Sequence, residues 1–128
     1  MIIDEALSVG LISNSAAILG IPLGARLPEI VGGDVRDGSG RVHMGIIEFP
    51  VPILRASSDI LSKLRISLYS SEYSELTAVD FSDIAQSCRT YDEYIDKISS
   101  AEDIHYFGIA VCGEKKKVNK LTGNLPLL

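Results

Sequence analysis

Apolar residues recur along this chain at two different spacings, and each change of spacing marks a new element. Met1 to Asp4 is a short apolar run suited to a strand. Leu11, Ile12, Ala16, Ile18 and Leu19 then recur at helical spacing behind Ser8, a residue type that caps helices. Gly20 followed by Ile21-Pro22 is expected to stop that helix. From Glu29 to Ile47 two β-branched segments flank Asp37-Gly38-Ser39-Gly40, a composition that supplies the positive φ angles of a hairpin turn. Pro50 and Pro52 each lack a ladder donor, so Phe49 to Leu54 reads as an extended crossing or a sheet edge.

Ile60, Leu61, Leu64 and Leu68 predict a second helix from Ser57 or Ser58 to about Tyr69, and Leu76 to Phe81 predicts a strand. Ser82 is placed to cap a short helical turn. Thr90-Tyr91-Asp92-Glu93 has the spacing of a capping box ahead of a helix carrying Tyr94, Ile95 and Ile98. Ile104 to Cys112 is apolar at nearly every position, the mark of a strand covered on both faces and therefore central. Gly113 breaks it, Lys115 to Leu121 forms a short basic helix, and Gly123 is expected to end that helix in a left-handed conformation. Strand and helix thus alternate within a length of 128 residues that suits one domain. The predicted fold is a three-layer α/β/α sandwich with a mixed sheet of about four strands plus the hairpin.

Composition adds a partner and removes several. Hydrophobic residues make up 46% of the chain and the mean hydropathy is +0.23, more than one small core hides, which predicts a homodimer that buries the surplus. No apolar run approaches the roughly 18 residues that span a bilayer, so no membrane partner is expected. Seventeen acids against twelve bases give a net charge of -5, the wrong sign for broad contact with a phosphate backbone, and nucleic-acid binding is disfavoured. Met1 to Glu5 shows no export signal, and with only two cysteines the expected location is the cytoplasm.

The familiar catalytic and cofactor motifs are missing. His43 and His105 are the only histidines and Cys88 and Cys112 the only cysteines, without zinc-ligand spacing. Neither the dinucleotide nor the nucleoside-triphosphate glycine pattern occurs, and no cofactor is expected. Cys112 lies in the apolar strand, where a thiol acts as a small hydrophobe, and adjacency to Arg89 alone does not make Cys88 a nucleophile.

Two segments carry a family likeness. Ile2-Ile3-Asp4-Glu5-Ala6-Leu7 with Gly10-Leu11-Ile12-Ser13-Asn14-Ser15-Ala16-Ala17 resembles the opening of the peptidyl-tRNA hydrolase II superfamily. Phe107-Gly108-Ile109-Ala110 followed by Val118-Asn119-Lys120-Leu121-Thr122-Gly123-Asn124-Leu125 is similar to its last strand, short helix and ending. Asp34 to Gly45, Pro50 to Leu54 and Ala85 to Tyr91 resemble one branch, small bacterial domains of no established function. The resemblance implies that fold, but Leu11 stands where the hydrolases carry a catalytic lysine, Ile18 where they carry a histidine, and Glu102 to Tyr106 lacks their aspartate motif. Peptidyl-tRNA hydrolysis is therefore not expected, because leucine cannot replace a charged donor.

Several polar residues still fall where α/β sheets bind ligands, beyond the carboxyl ends of strands. Asp4 and Glu5 follow the first strand, and Ser13, Asn14 and Ser15 open the first helix. Asn14 is disfavoured inside a helix, so it either binds a ligand or bonds a nearby loop carbonyl. His43 is either an acid-base group or a hydrogen-bonded sheet residue. Lys115, Lys116 and Lys117 oppose the dipole of the helix they open; they form a solvated face or, through Lys117, complete an anion pocket with Lys120 and Thr122. Arg89 faces the same choice between an anion and pairing with Asp92 or Glu93. The candidate ligand-binding set is Ser13, Asn14, His43, Arg89, Lys117, Lys120 and Thr122. Two functions remain open: a non-hydrolytic small-ligand-binding or regulatory homodimer, and a divergent hydrolase acting on a small anionic substrate.

Overall fold

The computed structural model describes residues 1–128. Its elements run β1 (Ile2–Asp4), α1 (Val9–Arg26), β2 (Val35–Arg36), β3 (Val42–His43), β4 (Leu54–Ala56), α2 (Ser58–Ser67), β5 (Thr77–Ser82), α3 (Asp83–Ser87), α4 (Tyr91–Ser99), β6 (Tyr106–Cys112) and α5 (Lys115–Thr122). The fold is α/β, with a mixed four-stranded sheet of order β4-β1-β6-β5 and a separate two-stranded hairpin sheet, β2-β3. β1 lies parallel to β4 and antiparallel to β6, and β5 is antiparallel to β6.

β6 is an inner strand, as its unbroken apolar sequence predicts, and it divides the core. Phe107, Ala110 and Cys112 pack with Leu19 and Leu23 of α1 and Phe81 of β5, whereas Tyr106, Ile109 and Val111 pack with Ile2, Ala56 and Leu61 of α2. Strict alternation would put Phe107 and Ala110 on different sides. A bulge reconciles them: Phe81 pairs with Gly108 and Ser82 with Tyr106, leaving Phe107 as the extra residue. The two open edges of the sheet are treated differently. The outer side of β4 is covered by the chain end, where Arg55 N–H donates to the Pro126 carbonyl at 2.9 Å and Leu128 N–H to the Ile53 carbonyl at 2.9 Å. No main-chain hydrogen bond covers the outer side of β5.

Four expectations need correction. α1 does not stop at Gly20 and Pro22 but continues to Arg26, because Leu23 on the next turn is buried in the core and burial outweighs the one main-chain bond that Pro22 removes. The resulting eighteen-residue helix has a mean hydropathy of 1.2, so a segment of membrane-spanning length and composition is present; its Ser15, Leu19 and Leu23 are buried within the fold. Gly123 is not left-handed, with φ at -65°; glycine is needed there because a Cβ would come within 2.6 Å of the Asn119 carbonyl oxygen. Finally, regular pairing in the hairpin is confined to two residues on each side, although Val31 bridges Ile47 and Gly32 N–H donates to the Ile46 carbonyl at 2.9 Å. The arms there touch: a Cβ on Gly45 would lie 1.6 Å from the Gly32 oxygen.

Candidate functional site

β5 forms the floor of a cleft of about 980 Å³ between α1 on one side and the α3–α4 segment on the other. Ile18, Pro22 and Arg26 recur at every fourth residue, so one stripe of α1, about 12 Å long, makes the first wall. This stripe exists only because α1 runs through Pro22. Cys88, Arg89, Tyr91 and Tyr94 make the opposite wall. Thr90 caps α4, its Oγ1 accepting from Glu93 N–H at 3.2 Å, while Glu93 Oε2 accepts from Arg89 N–H at 2.9 Å. The capping-box spacing thus fixes the backbone that presents Arg89, with the reciprocal bond one residue earlier than the motif predicts.

The charges in the cleft are uneven. Asp80 reaches it but is bound by Arg65 at 2.6 Å, and Arg65 also lies over the Tyr69 ring at 4.1 Å. Arg26 and Arg89 join no ion pair. Two arginines that join no ion pair therefore border an open cleft in a chain of net charge -5. Partial burial, with the Asp80 carboxylate and the Tyr91 phenol nearby, raises the Tyr94 phenol above its ordinary value. The rings of Tyr91 and Tyr94 meet edge to face with centroids 5.7 Å apart.

The predicted site residues do not assemble in one place. Ser13 Oγ donates to the Val9 carbonyl at 2.9 Å, and Asn14 Nδ2 donates to Gln86 Oε1 at 3.0 Å, tying α1 to α3 through a side-chain amide rather than a loop carbonyl. His43 sits in the exposed hairpin, its Nε2 3.4 Å from Asp37 Oδ2. Lys117 is held by Glu75 and Lys120 by Glu72, and each ammonium is stabilised above its ordinary value mainly by that hydrogen bond. Thr122 Oγ1 donates to the Val118 carbonyl at 2.8 Å. The lysines and Thr122 are thus engaged within the protein rather than gathered around an anion. Thr122 also borders a second, mostly apolar cavity of about 690 Å³ beside Phe49, Val51 and Leu54. Arg89 alone of the predicted set lines the β5 cleft.

Arg26, Tyr91 and a second polar pair escaped the sequence reading, although one member of that pair stands among the polar residues expected after the first strand. Arg26 joins the cleft only on a helix that does not end at Gly20, and Tyr91 has no distinguishing motif. The pair is Asp4 and His105, 101 residues apart, with Asp4 Oδ2 at 3.0 Å from His105 Nε2. Asp4 is 2% exposed and its Oδ1 also accepts Ala6 N–H at 3.0 Å, whereas the imidazole remains half exposed and lies edge-on to Phe107. A buried carboxylate thus orients a histidine at the end of the sheet where β1 finishes. No group of histidine, cysteine and carboxylate side chains is arranged to hold a metal ion.

A solved structure of a protein of unknown function from Agrobacterium tumefaciens superposes with a TM-score of 0.88 at 21% identity, covering 99% of this chain and 93% of that one. That likeness shows a shared fold. No curated protein matches the chain. One family model, described as a protein of unknown function, DUF2000, matches residues 1–128, and the chain therefore belongs to the DUF2000 family.

Proposed function

We propose that this chain is a non-hydrolytic binding domain that takes an anionic ligand in the β5 cleft and works as a homodimer. The observation that carries this reading is that two arginines outside every ion pair, Arg26 and Arg89, flank a cleft with two tyrosine rings. Arginine suits planar carboxylates and phosphates because its donors form a rigid fork. The finer fold, a three-layer sandwich of the peptidyl-tRNA hydrolase II-like superfamily, is supported by α1 and α2 packing with alternate residues of β6 and by the terminal segments' likeness. Loss of that superfamily's reaction is supported by Leu11 and Ile18, which pack against the core cluster where a lysine and histidine would need water. A bacterial, cytoplasmic setting without membrane or nucleic-acid partners fits two free cysteines, an acidic chain and an α1 whose buried face packs into the core. Dimerisation is supported by Val42, Met44, Ile46 and Phe49, all more than half exposed around the hairpin.

Citrate and inorganic phosphate, each titrated in a thermal-shift assay, test the binding reading. A ligand at a hundredfold excess over its Kd adds about 2.7 kcal/mol, a rise of about 10 °C in Tm for a chain of 128 residues. Arg26→Ala and Arg89→Ala should each weaken that rise, and a rise fully retained in the double variant overturns the reading.

The Asp4–His105 pair favours a second reading, a divergent hydrolase for a small anionic substrate. With Nε2 turned to the carboxylate, Nδ1 is the nitrogen left for a substrate proton. Turnover of an anionic ester by the wild type and its loss in His105→Ala would select this reading over the first.

A further inference from the structure

The floor of the β5 cleft is five consecutive residues, Thr77 to Phe81. Side chains of a strand alternate between faces, so five in succession can border one space only where that space runs along the strand's edge. The hydrogen-bond register shows which main-chain groups face it. Leu54 N–H donates to the Met1 carbonyl and Glu5 N–H to the Ala56 carbonyl, so odd-numbered residues of β1 turn toward β4 and Ile2 turns toward β6. Ile2 pairs with Ile109, which leaves Gly108 and Ala110 turned toward β5, opposite Phe81 and Val79. The N–H and C=O groups of Ala78 and Asp80 therefore point outward into the cleft, with no partner in the chain.

We infer that the cleft takes an extended peptide segment bearing carboxylates, which adds to β5 as a further strand of the sheet. The inference rests on the anionic-ligand reading above and names the class of ligand. An added strand is satisfied by the outward groups of Ala78 and Asp80. Its alternate side chains fall against the two walls, Ile18 and Pro22 on one and Tyr91 and Tyr94 on the other. Arg26 and Arg89 meet its carboxylates, and this charge complementarity favours an acidic peptide over a second copy of β5, which would bring the same two arginines with it. The contrast with the other edge supports the same conclusion. β4 is covered by Pro126 to Leu128, whereas β5, six residues long and flanked by two helical walls, is left open.

The probe is a fluorescein-labelled, end-blocked heptapeptide of alternating glutamate and valine, measured by anisotropy against the full chain. Controls are the same peptide N-methylated at alternate residues in each of the two registers, and a lysine–valine analogue. Binding of the first peptide, weakened about tenfold or more by N-methylation in one register and absent for the lysine analogue, is the expected result. Ala78→Pro removes an outward N–H while leaving the ladder bonds to β6, and should weaken binding to a similar extent in a protein that still melts cooperatively. Should that variant not fold, the N-methyl series decides alone. Equal binding of both N-methylated peptides overturns strand addition and leaves the anion reading standing, as does a citrate response with no peptide binding. If neither citrate nor peptide binds, both fail together. A fall from dimer to monomer in Ala78→Pro also overturns the inference, because a second copy then occupies the edge.

Discussion

Gly45 has no room for a side chain: the 1.6 Å between a built Cβ and the Gly32 oxygen is well inside any real contact, and the obstacle is backbone. Gly45→Ala should separate the hairpin arms and lower stability by about 1–3 kcal/mol, the usual range for overpacking, while Gly33→Ala, with nothing within 4 Å, should be nearly neutral in the same urea melts. Both glycines look alike in sequence, since what distinguishes them is a contact between segments a dozen residues apart. The candidate site was hidden in the same way. Arg89 was legible because a capping motif stands beside it. Arg26 and His105 were not, because their roles arise from α1 passing over β5 and from β6 returning beside β1. The lysines of α5 illustrate the converse: an unusual local charge pattern is resolved by Glu72 and Glu75, which no spacing rule connects to it.

Elements were the most legible level, and their ends the least. Apolar spacing located β1, β5 and β6, whereas β4 (Leu54–Ala56) overlaps the expected crossing or edge, Phe49 to Leu54, only at Leu54. Serine or threonine marked the starts of four helices, although only Ser82 and Thr90 make side-chain cap bonds. Pro22 misled because a helix break is a local rule and the burial of Leu23 a tertiary fact. Pro22→Ala should restore a donor for the Ile18 carbonyl and raise stability by about 1–3 kcal/mol in chemical denaturation, as expected when an interior proline is removed from a helix. At the hairpin tip, Asp37 Oδ1 accepts the N–H groups of Ser39 at 2.8 Å and Arg41 at 2.9 Å. The bond from Arg41 leads, with His43 and Ser39, in holding the Asp37 carboxyl below its ordinary value. A carboxyl with a lowered folded-state pKa contributes stability above the unfolded value and loses it as pH falls through the folded one. NMR should therefore show the Ser39 and Arg41 amide signals shifting together below about pH 4, before the core resonances change, and Asp37→Asn should abolish that step.

At the scale of the whole molecule, exposure of the hairpin's apolar residues predicts association. Light scattering at tens of micromolar should give twice the 13.8 kDa chain mass, and Met44→Glu combined with Phe49→Glu should give the monomer without changing the far-ultraviolet spectrum. The composition shows only that there is an apolar surplus, because a mean hydropathy does not say where the surplus lies. Sheet order has a different consequence, one of timing. β1 lies between β4 and β6, and Ile2 pairs with Ile109, so the first strand made waits for the last before its second edge is closed. At a synthesis rate of about 5–20 residues per second that wait is on the order of 5–20 s, far longer than a helix or hairpin needs to form. Throughout it Ile2 and Ile3 lack their β6 partner, and a nascent chain stalled before residue 106 cannot complete the main sheet however long it is held. Folding on the ribosome therefore has a late step, in which the arriving β6 joins β1 to β5 and the two halves of the core close together, and only after it can α5 and the Pro126 to Leu128 cover of β4 be added.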